Sequence, residues 1–88
     1  MVCTLYVLRS NKSPRFYIGV TEVIETRVLK HNAGDVRSTK AYRPWALVYQ
    51  ETFSTKKEAR QRELQLKNNY QIRKKLFEKI IRVQPGLL

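Results

Sequence analysis

Eighty-eight residues leave room for one domain with one small core, and a 42% hydrophobic fraction carrying one Trp, five Tyr and three Phe excludes a disordered chain. Eighteen Lys+Arg against seven Asp+Glu give a formal charge of +11, spread from Arg9 to Arg82, which selects polyanions and above all nucleic acid as the partner class. No apolar run approaches the ~20 residues that span a bilayer, and the segment from Val2 to Leu8 is too short and too weakly flanked for an export signal.

In chain order, Cys3 to Leu8 and Arg15 to Val20 are rich in β-branched, aromatic and other apolar residues and read as two strands joined by the polar loop Arg9 to Pro14. Thr21 offers a cap to the helix that follows, with Glu22 in its first turn. That helix should stop near Asn32-Ala33-Gly34, because Gly takes the left-handed conformation that closes a helix. Asp35 to Arg43 is polar, basic and irregular up to Pro44, and Trp45 to Thr52 reads as a third strand. Ser54 or Thr55 opens a second helix, where Thr55-x-x-Glu58 has the form of a capping box, and this helix runs to about Lys67. Tyr70 to Val83 places Ile72, Leu76, Phe77, Ile80 and Ile81 at helical spacing, and Pro85-Gly86 ends it. The order β-β-α-β-α-α makes a small sheet covered by helices, an α/β (α+β) fold in a single domain over 1–88. Cys3 is the sole cysteine and His31 the sole histidine, so neither an internal disulfide nor a Cys/His zinc site can form. With no export signal, a lone cysteine fits a reducing cytoplasm.

Several polar residues sit against this pattern. Glu63 lies four residues after Ala59 and three before Leu66, on the inward face of its helix. A carboxylate there must be paired or hold a cation, and Arg27, Arg60 and Lys67 are the nearest pairing choices. In the first helix Arg27 and His31 form an i,i+4 pair along the edge of the Ile24–Val28 stripe. The arginine offers a fork of donors that matches phosphate, and the histidine can move a proton near neutral pH. Along the second strand Phe16, Ile18 and Val20 face one way, while Arg15, Tyr17 and Gly19 face the other. A glycine inside a strand is tolerated where another group approaches closely.

Thr4-Leu5-Tyr6, Phe16-Tyr17-Ile18-Gly19-Val20-Thr21, Arg27-x-x-x-His31-Asn32 and Glu63 together resemble the GIY-YIG nuclease superfamily, above all its short stand-alone branch related to the N-terminal nuclease domain of UvrC. Arg43-Pro44-Trp45-x-Leu47-Val48-Tyr49 and Glu58-Ala59-x-x-Arg62-Glu63-x-x-Leu66-Lys67 extend the likeness over about residues 2–82. The resemblance implies a three-stranded antiparallel sheet flanked by helices and a metal-dependent endonuclease acting on DNA. It implies that Glu63 holds Mg²⁺ or Mn²⁺, that Arg27 braces the phosphate, and that Tyr6, Tyr17 and His31 position and deprotonate the attacking water, without saying which is the base. Departures are the missing Gly and Ile of the first motif, Glu22-Val23-Ile24 after Thr21, and Asn68-Asn69 after Lys67. The alternative is a module of the same fold that grips nucleic acid without cutting it. Candidate substrate contacts are the segment Ser38 to Arg43, with Lys40 and Arg43, and the last basic helix, with Lys74 and Lys75. DNA versus RNA, and association into a homodimer, stay open.

Overall fold

The computed structural model describes residues 2–83 and has the expected element order. Strands β1 (Cys3–Ser10) and β2 (Phe16–Thr21) form an antiparallel hairpin, followed by helix α1 (Ile24–Ala33), a 3₁₀ turn at Lys40–Tyr42, strand β3 (Trp45–Phe53), and helices α2 (Lys56–Asn68) and α3 (Tyr70–Val83). β3 pairs antiparallel with the other edge of β1, giving the sheet order β2-β1-β3. The end assigned to Pro85-Gly86 lies outside the described residues. No helix among the described residues is long and apolar enough to cross a membrane.

Because β1 is central, both of its faces are covered, and it reads as a nearly continuous apolar run. Leu5 and Val7 enter one core cluster with Ile18, Val48, Leu66, Leu76 and Ile80, which packs α2 and α3 on that face. Tyr6 and Leu8 enter a second cluster with Trp45, against which Tyr17, Ile24, Val28 and Tyr42 pack, so α1 covers the opposite face. The faces expected for β2 hold: Phe16 and Ile18 join the first cluster and Tyr17 the second.

Alternation fails at one place in β3. Val7 pairs with Tyr49 and Leu8 with Leu47, which leaves Val48 as an extra residue. This bulge reverses which residues point inward, so Ala46 before it and Tyr49 and Phe53 after it all join the first cluster. It also puts Glu51 under α2, where Arg62 reaches it through Nε at 3.0 Å and Nη2 at 3.0 Å, a forked pair that ties the helix to the sheet. Burial works the other way, but the hydrogen bonds from Arg62 and Tyr49 hold the Glu51 carboxyl below the usual range.

Thr55 accepts from the Glu58 amide and caps α2 as expected. Thr21 does not cap α1: the N-cap is Val23, and the Thr21 hydroxyl accepts from the Val23 amide in a local turn one step ahead of the helix. Gly34 closes α1 at φ +85° as expected. The segment Asp35 to Arg43 is less irregular than its composition suggests, because successive amides there bond back to Val36 and Thr39.

Candidate active site

Tyr6 points off the middle of β1 onto the α1 face and lies over Gly19, its partner across the hairpin. The missing side chain of Gly19 is what makes room, since a Cβ there would lie 2.5 Å from Tyr6 Cζ. The Tyr6 ring is 1% exposed, and its hydroxyl meets two groups delivered by α1. Arg27 Nε donates to Tyr6 Oη at 3.3 Å, and His31 Nε2 lies 2.9 Å from the same oxygen. The i,i+4 spacing read from the sequence is therefore used as expected: both side chains converge on one phenol.

His31 is fully buried, and its other ring nitrogen, Nδ1, lies 2.8 Å from Thr39 Oγ1. Thr39 donates its own hydroxyl proton to Val36 O at 3.3 Å, so towards His31 it acts as acceptor. This assigns the proton to Nδ1 and leaves Nε2 to accept from the Tyr6 hydroxyl. The chain runs Tyr6 to His31 to Thr39 to Val36, every proton pointing the same way. Thr39 is 1% exposed, and its carbonyl accepts from Trp45 Nε1 at 2.8 Å. Asn32 locks the same corner: its Oδ1 accepts from Trp45 N at 2.6 Å and its Nδ2 donates to Trp45 O at 3.0 Å.

Desolvation, with the Arg27 charge adding to it, lowers the His31 pKa to about 4. His31 is thus neutral at neutral pH. Burial raises the Tyr6 pKa, against which the Arg27 hydrogen bond acts, and that same bond raises Arg27. The resting centre is a neutral phenol held between a cation and a neutral imidazole. Its effect on stability has a definite sign. Unfolded His31 takes a proton as pH falls through about 6.5 and folded His31 only near 4, so the native state loses stability over that interval. The expected result is a melting temperature that drops between pH 7 and 4 by more in the parent than in His31→Gln, the difference corresponding to a few kcal/mol. Parallel curves for the two proteins would contradict the assignment.

Tyr17 completes the aromatic part, its ring 4.9 Å from the His31 ring and 6.2 Å from that of Tyr6. Glu63 comes from α2, buried beside Ala59 and Leu66 as the inward-face reading required. Lys67 Nζ bonds Glu63 Oε2 at 3.0 Å and Arg60 Nη1 bonds Oε1 at 3.3 Å, so two of the three expected pairing partners are used and Arg27 is not. Lys67 also sits 6.0 Å from the Tyr17 ring centre, and the Glu63 charge is felt at the Tyr6 phenol, so α2 borders the tyrosine group.

The remaining sequence candidates lie outside this group. Lys40 and Arg43 are exposed in the connection before β3, and Lys74 and Lys75 are exposed on α3, with Lys74 6.0 Å from the Tyr70 ring centre. Thr39 lies in the segment whose sequence suggests substrate contacts, but it faces inward and fixes His31. Nothing in a non-periodic segment marks that burial, and only the neighbouring Trp45 hints at a packed corner.

Comparison with known proteins decides the family. The model of the GIY-YIG catalytic domain matches residues 2–76. The chain belongs to the GIY-YIG family. This GIY-YIG domain is 44% identical over 64 residues to a UPF0213 protein of Staphylococcus haemolyticus, covering 72% of this chain and 77% of that one. It is 36% identical over 69 residues to a UPF0213 protein of Bacillus pumilus, covering 77% and 70%. Among solved structures, the solution NMR structure of a UPF0213 protein from Bacillus halodurans matches with a TM-score of 0.56 at 26% identity, over 91% of this chain and 85% of that one. Membership gives the GIY-YIG domain a nuclease-type function in general.

Proposed function

We propose that this chain is a divalent-metal-dependent endonuclease that hydrolyses phosphodiester bonds of nucleic acid, DNA foremost. The observation that carries the reading is the Tyr6 phenol, held between Arg27 Nε and His31 Nε2. A protein that only grips a backbone needs cations and some aromatics, not a buried phenol with a proton acceptor behind it.

Both His31 nitrogens are engaged inside the protein, so His31 acts through Tyr6 rather than on a water directly. As a water loses a proton to Tyr6 Oη, the phenolic proton can pass along the hydrogen bond to His31 Nε2, which carries no proton at neutral pH. Arg27 lies beside the same oxygen and can face negative charge building on a phosphate. Tyr17, half-exposed next to this pair, can orient the water or the phosphate.

Glu63 is the residue that would hold the metal. Among the described residues no three His, Cys, Asp or Glu side chains gather into a metal cage. A single buried carboxylate, flanked by cations whose side chains are 46% and 64% exposed, fits Mg²⁺ or Mn²⁺, which keep several waters and take phosphate oxygens. Bound there, such an ion would supply positive charge at the scissile phosphate and leaving oxygen.

The same ion pairs favour the second reading, a module that binds without cutting, because they satisfy Glu63 without any metal. A panel of plasmid, branched and single-stranded DNA and of RNA, incubated with Mg²⁺, Mn²⁺ or EDTA, separates the two. The expected result is cutting that requires the metal. Tight, salt-sensitive binding with no cutting of any substrate would establish the second reading instead. Contacts to phosphate carry little sequence information, so the cut sites should share a structure such as a branch, flap or single strand rather than a sharp sequence motif.

A further inference from the structure

Away from the tyrosine group, Lys12, Arg37, Lys40, Ala41 and Arg43 line an open, solvent-facing cavity of about 450 Å³, so four of its five lining residues are cations. Lys12 comes from the β1–β2 loop and the others from the α1–β3 connection. Among the described residues none of these four side chains has a hydrogen bond or an ion pair. Some cations elsewhere have partners: Arg62 holds Glu51, Arg60 and Lys67 hold Glu63, and Arg27 holds Tyr6. Four gathered like charges without a counter-ion repel one another, and a polyanion entering the cavity relieves that repulsion.

The cavity walls are built rather than incidental. Ser10 Oγ accepts from Lys12 N at 3.0 Å and from Ser13 N at 3.1 Å and donates to Tyr42 O at 2.5 Å, tying the Lys12 loop to the turn that carries Lys40. Asn11 N donates to Pro44 O at 2.9 Å across the same seam. The Arg43 guanidinium lies against Gly34, where a Cβ would come within 3.1 Å of Arg43 Cζ, so the glycine that closes α1 also seats this arginine. Arg15 covers the Tyr42 ring at 4.2 Å on the flank. Lys40 follows directly in the chain on Thr39, the residue that holds His31 Nδ1.

We propose that this cavity is a phosphate-binding subsite that holds the backbone of the substrate strand. Lys40 and Arg43 stand out in the sequence; Lys12 and Arg37 join them only in the fold. The proposal rests on nucleic acid being the substrate, as read above, but not on cutting.

Binding in EDTA therefore tests it. A fluorescent DNA strand of about 20 nucleotides is titrated with the parent, with Lys12→Ala/Arg37→Ala, and with Lys56→Ala/Lys57→Ala, which removes two exposed charges outside the cavity, at several salt concentrations. Each phosphate contact contributes about 0.7–0.9 to the slope of log affinity against log salt. The cavity variant should show a slope shallower by about 1.4–1.8 and affinity about tenfold weaker at low salt, with unchanged melting. The Lys56/Lys57 variant should keep nearly the parental slope. Parental slope and affinity in the cavity variant overturn the subsite, as does equal weakening in both variants, which would be a general charge effect. Inorganic phosphate that displaces the strand better than chloride at equal ionic strength marks a free-phosphate site and also overturns it. A parent that binds no oligonucleotide at any salt overturns the nucleic-acid reading itself, which separates the two failures.

Discussion

Tyr6→Phe is expected to lower the rate of strand cleavage by about 10³-fold while leaving substrate affinity nearly intact, the size of loss that follows removal of a positioned proton-transfer group. The ring keeps its place over Gly19 in the second core cluster, so the change is confined to one oxygen. That oxygen is where Arg27 and His31 meet. Without it His31 Nε2 stays buried with no donor, and stability should fall by about 1–3 kcal/mol, the usual cost of orphaning a buried polar group. Single-turnover cleavage with a denaturant titration separates the two effects. A rate within tenfold of the parent would remove Tyr6 from the chemistry and leave Tyr17 as the phenol to test.

Gly19→Ala is expected to damage fold and activity together. A methyl at this position would sit 2.5 Å from Tyr6 Cζ, closer than two carbons can approach, and the gap cannot open easily. Tyr6 is 1% exposed and hydrogen-bonded on α1, and Gly19 is paired with it in the hairpin register. Either the hairpin splays or the phenol leaves His31. Overpacking of this kind costs about 1–3 kcal/mol, which in a domain of this size lowers the melting temperature by roughly 4–8 °C per kcal/mol. Cleavage should fall in proportion to the displacement of Tyr6. A parental denaturation midpoint in Gly19→Ala would contradict the packing account.

Much of this site was legible because the rules that govern it are local. Period two on β2 put Tyr17 and Gly19 on one face, and the i,i+4 spacing of Arg27 and His31 aimed both at one point, which proved to be Tyr6 Oη. Glu63 stood out as a carboxylate between two apolar residues of one helical stripe, and the i+4 partner Lys67 was legible from the same geometry. What stayed hidden depends on contacts distant in sequence. The Val48 bulge reverses the alternation of β3 through its pairing with β1, and no residue in Trp45–Phe53 signals it. Thr39 is buried because α1 ends and Trp45 begins around it, so its part in fixing the His31 proton becomes visible only when Nδ1, Oγ1 and the Val36 carbonyl are placed together. Thr21 reads as a cap in sequence because a capping hydroxyl and a turn hydroxyl look alike before the first helical residue is known.

The central claim, that an inward carboxylate on α2 serves chemistry rather than structure, is tested most directly by Glu63→Ala, with metal-dependent cleavage and thermal stability measured on the same preparation. The lost ion pairs reach half-exposed or more exposed cations and are worth about 0–1 kcal/mol, so the melting temperature should move by only a few degrees. Cleavage in Mg²⁺ or Mn²⁺ should fall by about 10³-fold or more, the loss expected when charge stabilisation worth several kcal/mol is removed. Retained cleavage with a collapsed melting temperature would contradict the account and make Glu63 a structural ion-pair residue.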